Sequence, residues 1–136
     1  MILSLDHIAI AVDDLDAAIR RFAHDLGLEL AGTEDVEAAR TSTAFLPVSG
    51  TRIELVHPLR GEGPIAQHLQ KRGPGLHHLC FRVDDVEAEM ARLRGLGYRF
   101  TTEAPTPGAH GTKVAFLHPR STGGVLIELA EHVHAP

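Results

Sequence analysis

Leu5-Asp6-His7-Ile8-Ala9-Ile10-Ala11-Val12-Asp13-Asp14 returns 71 residues later as Leu76-His77-His78-Leu79-Cys80-Phe81-Arg82-Val83-Asp84-Asp85. Leu26-Gly27-Leu28 is answered by Leu96-Gly97-Tyr98 at an offset of 70, and Ala44-Phe45-Leu46 by Ala115-Phe116-Leu117 at 71. Ile53-Glu54-Leu55 is answered by Ile127-Glu128-Leu129 at 74, the extra residues falling in the turn 121–124. Four matches in one order at nearly constant spacing mark an internal repeat. The chain reads as two copies of one module.

Each copy reads strand, helix, then three strands. In the opening strands Ile8, Ile10 and Val12 share one face, as do Leu79, Phe81 and Val83, the period-two pattern of a half-buried strand. The Asp pairs 13–14 and 84–85 supply helix N-caps, since a short acidic side chain there accepts from the first free backbone N–H groups. Leu15, Ile19, Phe22 and Leu26 follow at helical spacing in one copy, and Val86, Met90, Leu93 and Leu96 in the other. Gly27 and Gly97 stand where the helices should stop. Strands are predicted at about 29–37, 41–47 and 51–57, and again at 98–103, 112–118 and 124–131. Module one therefore covers about 3–60 and module two about 76–131, in a single domain of residues 1–136. The linker of about 61–75 carries a short helix around Pro64-Ile65-Ala66-Gln67-His68-Leu69. The helices cover the Ile8/Phe81 face of each sheet and leave the other face for a different use.

Composition narrows the function. One hundred and thirty-six residues with 43% hydrophobic and 23% charged are ordinary for one folded domain. Eighteen acids against thirteen bases give a net charge of −5, the wrong sign for an electrostatic nucleic-acid binder. No apolar run approaches the ~20 residues of a membrane span, no signal-peptide pattern opens the chain, and a cytoplasmic location is expected. The single cysteine, Cys80, allows neither an intrachain disulfide nor a CxxC zinc site. Ten histidines stand out, and their positions decide what they mean.

Alternation places His7 opposite Ile8 and Ile10, on the helix-free face, and His78 likewise opposite Leu79 and Phe81. Glu54 between Ile53 and Leu55, and Glu128 between Ile127 and Leu129, point the same way. A carboxylate set between large aliphatics in mid-strand is costly unless paired or metal-bound. Two half-barrels related by a pseudo-twofold would gather His7, Glu54, His78 and Glu128 into one ligand set. Two neutral imidazoles and two carboxylates balance a dication. Such N₂O₂ ligation suits Co²⁺, Zn²⁺, Mn²⁺, Ni²⁺ or Fe²⁺ rather than Ca²⁺, with two cis positions left for a bidentate oxygen ligand.

This constellation resembles the vicinal oxygen chelate (glyoxalase/bleomycin resistance) superfamily, and most closely its methylmalonyl-CoA epimerase branch. The resemblance is carried by residues 5–12, by Ile53-Glu54-Leu55-Val56-His57-Pro58-Leu59 and by Gly75-Leu76-His77-His78-Leu79. Its most specific stretch is Phe116-Leu117-His118-Pro119-Arg120-Ser121-Thr122-Gly123-Gly124-Val125-Leu126-Ile127-Glu128-Leu129, and it runs from about residue 3 to 131. It implies an α+β fold in which two tandem βαβββ modules form a metal-centred, half-open β-barrel. It implies metal ligation by His7, His78 and Glu128, with Glu54 at a position where some members carry Gln. Co²⁺ is the metal it favours, with Zn²⁺, Mn²⁺ and Ni²⁺ as alternatives, in a homodimer acting on a small acyl-CoA substrate. The family's second glutamate falls at Glu37, within Glu37-Ala38-Ala39-Arg40-Thr41, which departs from the usual pattern and leaves Glu34 and Glu29 as competitors.

The implied chemistry is interconversion of the C2 epimers of methylmalonyl-CoA. Chelation of carboxylate and thioester oxygens stabilises the enolate formed when the C2 proton leaves, while Glu37 and Glu128 act as acid and base on opposite faces. Two other functions fit the fold: a glyoxalase-type isomerase acting on a thiol hemithioacetal, and a non-enzymatic small-molecule binding protein, which would lack the ligand set. The remaining histidines read as structural. His57 and His118 precede prolines at strand ends, His77 faces away from its ligand neighbour, and His132 and His134 lie in a solvated tail. His110 sits in a loop able to close on a ligand. Cys80 reads as a small buried filler.

Overall fold

In the computed structural model, which describes residues 1–133, both opening strands form where the repeat places them. The chain divides into two compact units, His7–His77 and the residues from His78 onward joined by Met1–Asp6.

In the unit His7–His77, strands β1 (Ile2–Ala11), β2 (Gly32–Val36), β3 (Thr41–Val48) and β4 (Thr51–Pro58) lie in the order β2-β3-β4-β1. β1 runs parallel to β4, with Ala9 opposite Glu54, and the other pairs are antiparallel. Asp14 caps helix α1 (Leu15–Ile19) by accepting from Ala17 N. A π-helical turn, Arg20–Asp25, continues it, and the chain leaves through Gly27 at φ +82°, a conformation open to glycine at little cost. Leu15, Ile19 and Phe22 pack on Val12, Leu46 and Leu55 as the spacing predicts. Leu26 does not: it is the residue after the last helical turn and stays exposed. Leu46 and Leu55 are fully buried, each stabilising the fold by about 1.5–3 kcal/mol relative to an exposed leucine.

The linker corrects one expectation. Helix α2 (Pro64–Arg72), with its proline in the first turn, sets Ile65 and Leu69 against Ala9, Ala11 and Val56. Those strand residues belong to the face expected to be free of helices. Apolar residues four apart on a helix meet the same surface, and the small Ala9 and Ala11 give that helix room to approach.

In the other unit, β5 (Gly75–Val83), β8 (Ile127–Glu131), β7 (Lys113–Leu117) and β6 (Thr106–Pro107) lie in that order. β5 and β8 are parallel with Cys80 opposite Glu128, the counterpart of Ala9 opposite Glu54. Helix α3 (Val86–Gly95) is capped by Asp85, which accepts from Ala88 N. Val86, Met90 and Leu93 join Val83, Ala115 and Leu129 in the core, while Leu96, like Leu26, follows its helix and is exposed. The strand expected at 98–103 does not form. Only Phe100 bridges, to Leu117, because the Arg94 guanidinium takes the carbonyls of Thr102 and Glu103 that a ladder would use. Antiparallel pairing resumes at Thr106–Pro107. Among the described residues no helix is long and apolar enough to cross a membrane.

Candidate active site

The two modules build the same local arrangement. In the first, Glu54 is nearly fully buried at the centre of β4, opposite Ala9 on one side and Phe45 on the other. Two residues upstream of Ala9, on the same face of β1, the buried His7 brings Nδ1 to 3.2 Å from Glu54 Oε2. In the second, Glu128 is buried opposite Cys80 and Phe116. His78, two residues upstream of Cys80, brings Nε2 to 2.9 Å from Glu128 Oε1. The His78 ring meets Phe116 edge-on at 5.3 Å.

The chain folds this way because the parallel ladder fixes the register. Each carboxylate faces a residue with little bulk, Ala9 or Cys80, and both of these are fully buried. The histidine one repeat earlier on the same face then reaches across the gap. Each carboxylate also faces a phenylalanine, so the half-sites are apolar apart from their own partners. A buried carboxylate in such a setting requires a hydrogen-bonding or cationic partner, and the imidazole is one.

Glu54 has a second partner that the sequence reading passed over. Arg52 brings Nε to 2.7 Å and Nη2 to 2.6 Å from Glu54 Oε2, and its guanidinium carbon lies 5.7 Å from the Phe45 ring centroid. The signal was present, since residues 52 and 54 share a strand face. The repeat obscured it, because the matching residue of module two is Leu126.

Glu37 begins a 3₁₀ turn, Glu37–Ala39, after β2. Its side chain is 67% exposed and ion-pairs with Arg60 of the turn Leu59–Gly61. Glu29 is exposed and Glu34 half-buried. His57 Nδ1 donates to the Val12 carbonyl, and His118 Nδ1 accepts from Arg120 N, both structural roles. His77 packs edge-on against His68. His110 lies in the turn Ala109–Gly111 and is exposed. Cys80 packs among Val114, Ala130 and Phe116 as a filler. His132 is not a solvated tail residue: its Nε2 lies 2.6 Å from Oδ1 of the buried Asp6. A buried carboxylate recruits the imidazole that the chain brings past it. His134 lies outside the described residues.

The donor chemistry fits a divalent ion. Each module contributes one imidazole and one carboxylate, buried except for the half-buried His78 and already within 3.2 Å of each other, nitrogen and oxygen donors of the kind that first-row dications accept.

Residues 6–116 match the model of the glyoxalase/bleomycin resistance protein/dioxygenase superfamily. The chain belongs to that superfamily, and its paired βαβββ modules are the α+β fold expected of it. It is 41% identical to the ethylmalonyl-CoA/methylmalonyl-CoA epimerase of Cereibacter sphaeroides over 96% of this chain and 99% of that one. The crystal structure of methylmalonyl-CoA epimerase from Mycobacterium tuberculosis superposes with a TM-score of 0.93 at 40% identity, covering 98% of this chain and 90% of the other. A variant of the Streptomyces coelicolor methylmalonyl-CoA epimerase in complex with 2-nitronate-propionyl-CoA superposes at 0.91 with 33% identity, over 98% and 100% of the two chains. Within the superfamily, then, the chain is a member of the methylmalonyl-CoA epimerase family, an enzyme of the epimerase class.

Proposed function

We propose that the protein interconverts the C2 epimers of methylmalonyl-CoA by removing and returning the proton at C2. The observation that carries this reading is the near full-length similarity to epimerases named for that thioester, together with a His–carboxylate contact repeated in both modules.

His7, Glu54, His78 and Glu128 are the residues we assign to one divalent ion, Co²⁺ first, then Zn²⁺, Mn²⁺ or Ni²⁺. Such an ion supplies Lewis-acid stabilisation to negative charge developing on the thioester oxygen. The protein's own groups do the rest. Phe45 and Phe116, opposite the two carboxylates, keep the half-sites apolar and so strengthen each polar interaction made there. We assign proton transfer on the two faces of C2 to Glu37 and Glu128. Glu37 exchanges its contact with Arg60 for the C2–H it attacks. In this assignment Glu128 both holds the ion and carries a proton. The expected setting is a cytoplasmic homodimer, which light scattering at micromolar concentration checks.

The decisive experiment follows C2. In D₂O the protein should wash solvent deuterium into C2 of methylmalonyl-CoA and interconvert the epimers, leaving the carbon skeleton intact and needing no glutathione. Metal-loaded protein that neither exchanges nor epimerises this thioester overturns the assignment.

A further inference from the structure

The nucleotide end of an acyl-CoA carries several negative charges, and this chain has a net charge of −5. One segment runs the other way. Between residues 94 and 122 stand four Lys or Arg side chains, Arg94, Arg99, Lys113 and Arg120, and one acid, Glu103. Two of the four are committed, since Arg94 donates to the Thr102 and Glu103 carbonyls and Lys113 pairs with Glu87. Arg99 and Arg120 are exposed, and among the described residues neither guanidinium meets a carboxylate. The backbone holds these two arginines side by side. Arg99 N donates to Ser121 Oγ at 3.0 Å, His118 N donates to the Arg99 carbonyl at 2.8 Å, and Arg120 N donates to His118 Nδ1 at 3.1 Å. The Ser121 hydroxyl accepts in this arrangement and keeps its own proton for a further acceptor. Register places the group. Phe100 bridges Leu117, and Phe116 pairs with Glu128. Alternation therefore sets Arg99 on the face of Phe116 and Glu128, and Phe100 on the face covered by helix α3. Arg120 follows Phe116 by four residues, at most roughly 14 Å of extended chain.

We propose that Arg99, Arg120 and the Ser121 hydroxyl form a phosphate subsite that takes the nucleotide end of the acyl-CoA, with the pantetheine arm reaching back toward Glu128. The inference rests on the functional reading above and deepens it by naming the part of the chain that recognises the CoA moiety. A guanidinium meets phosphate through two parallel N–H donors, and two guanidiniums beside a hydroxyl supply donors for all the outer oxygens of one phosphate. The cationic segment also steers an anionic ligand to one face of an acidic chain. Because the subsite is open to solvent, salt screens it, and its contribution is to binding rather than to the proton transfers.

The test removes the two charges and shortens the substrate. With methylmalonyl-CoA, the double variant Arg99→Gln/Arg120→Gln should raise KM about tenfold and hold kcat within about twofold, the mark of lost uniform binding. With methylmalonyl-pantetheine, which lacks every phosphate, wild type and variant should share one KM. Added salt should raise the KM for methylmalonyl-CoA in the wild type and much less in the variant. The control Lys71→Gln/Arg72→Gln removes the same charge from the last turn of helix α2, where the helix dipole favours a cation, and should leave KM within about twofold. Calorimetry with desulfo-CoA, which keeps the nucleotide and lacks the thiol, needs no turnover, and the Arg99/Arg120 variant should bind it about tenfold more weakly than the wild type. Desulfo-CoA affinity equal in the two proteins overturns the proposal. So does an equal rise in KM for the pantetheine thioester, or an equal loss in the Lys71/Arg72 control. Wild-type protein that binds desulfo-CoA but does not turn over the thioester refutes the functional reading instead, and the calorimetric comparison then decides the subsite by itself.

Discussion

Phe116 stands directly across the β7–β8 ladder from Glu128, and its ring lies edge-on to His78, the imidazole that contacts that carboxylate. Phe45 stands in the same register opposite Glu54. An aromatic wall on one side and a small buried residue on the other leave each carboxylate in need of polar partners, which for Glu54 are His7 and Arg52 and for Glu128 include His78. Strand centres carry such a cost when a site requires it, because buried acids without partners are strongly disfavoured.

Removing one imidazole should therefore empty the site. His7→Ala and His78→Ala should each reduce bound metal from about one ion per chain to a small fraction, since a four-donor shell loses much of its affinity with one ligand gone. Elemental analysis of freshly purified protein reads the result. Wild-type protein without metal, and without activation by added Co²⁺, refutes the ligand assignment.

Helix α3 offers a test away from the chemistry. Asp85 accepts from Ala88 N at 3.1 Å, and Asp85→Ala should cost about 1 kcal/mol of stability, the usual worth of an N-cap. Asp85→Asn should lose much less, because the amide oxygen accepts the same bond. Urea denaturation separates the two variants, and epimerisation should survive in both.

The same capping geometry shows what could be read without coordinates. Asp14 and Asp85 were legible as caps, and Leu15, Ile19, Val86 and Met90 as buried stripes, because local chemistry and core packing agree there. That His7 and Glu54, like His78 and Glu128, lie on equivalent strand faces was legible from the repeat and period-two alternation; the direct contact within each pair was not. What escaped depends on single contacts between distant residues. Arg94 diverts the carbonyls of Thr102 and Glu103 and ends a strand that 98–103 was expected to form. Asp6 captures His132 across 126 residues of sequence. Ile65 and Leu69 close helix α2 onto Ala9 and Ala11, and nothing in the periodicity of β1 announces that cover.

Acid should weaken the fold in part through Glu89. This buried carboxylate bonds Arg92 Nη2 at 3.0 Å and Nε at 3.3 Å, and the Arg92 guanidinium, its largest influence, holds it below the ordinary glutamate value of 4.5. The unfolded chain binds this proton first, so between 4.5 and the lower native value stability rises with pH. The contribution is complete above the unfolded value and disappears as pH falls through the native one. Glu89→Gln should be less stable at neutral pH and should flatten this acid limb, as followed by denaturation midpoints from about pH 6 to pH 3. An unchanged slope would show that the Arg92 pair does not shift the Glu89 proton equilibrium.

Glu37 carries the most exposed part of the mechanism. Its carboxylate stands at the surface on Arg60, between two turns that each hold an arginine in the left-handed region, Arg40 at φ 53° and Arg60 at φ 56°. Non-glycine residues adopt that conformation at a cost, and such strain gathers where backbone has a task. If Glu37 is the acid–base group on one face of C2, Glu37→Gln should retain bound metal and lose epimerisation by about 10²–10⁴-fold, the range for a positioned proton carrier. Deuterium exchange at C2 should fall with it, because both need the same proton removal. Glu128→Gln should lose activity and metal together, since that carboxylate is assigned both tasks. Glu29→Gln and Glu34→Gln complete the set. A fully active Glu37→Gln beside an inactive Glu34→Gln or Glu29→Gln moves the base to the neighbouring glutamate and leaves the chemistry in place. Full activity in all three places the second proton carrier outside the segment that precedes β3.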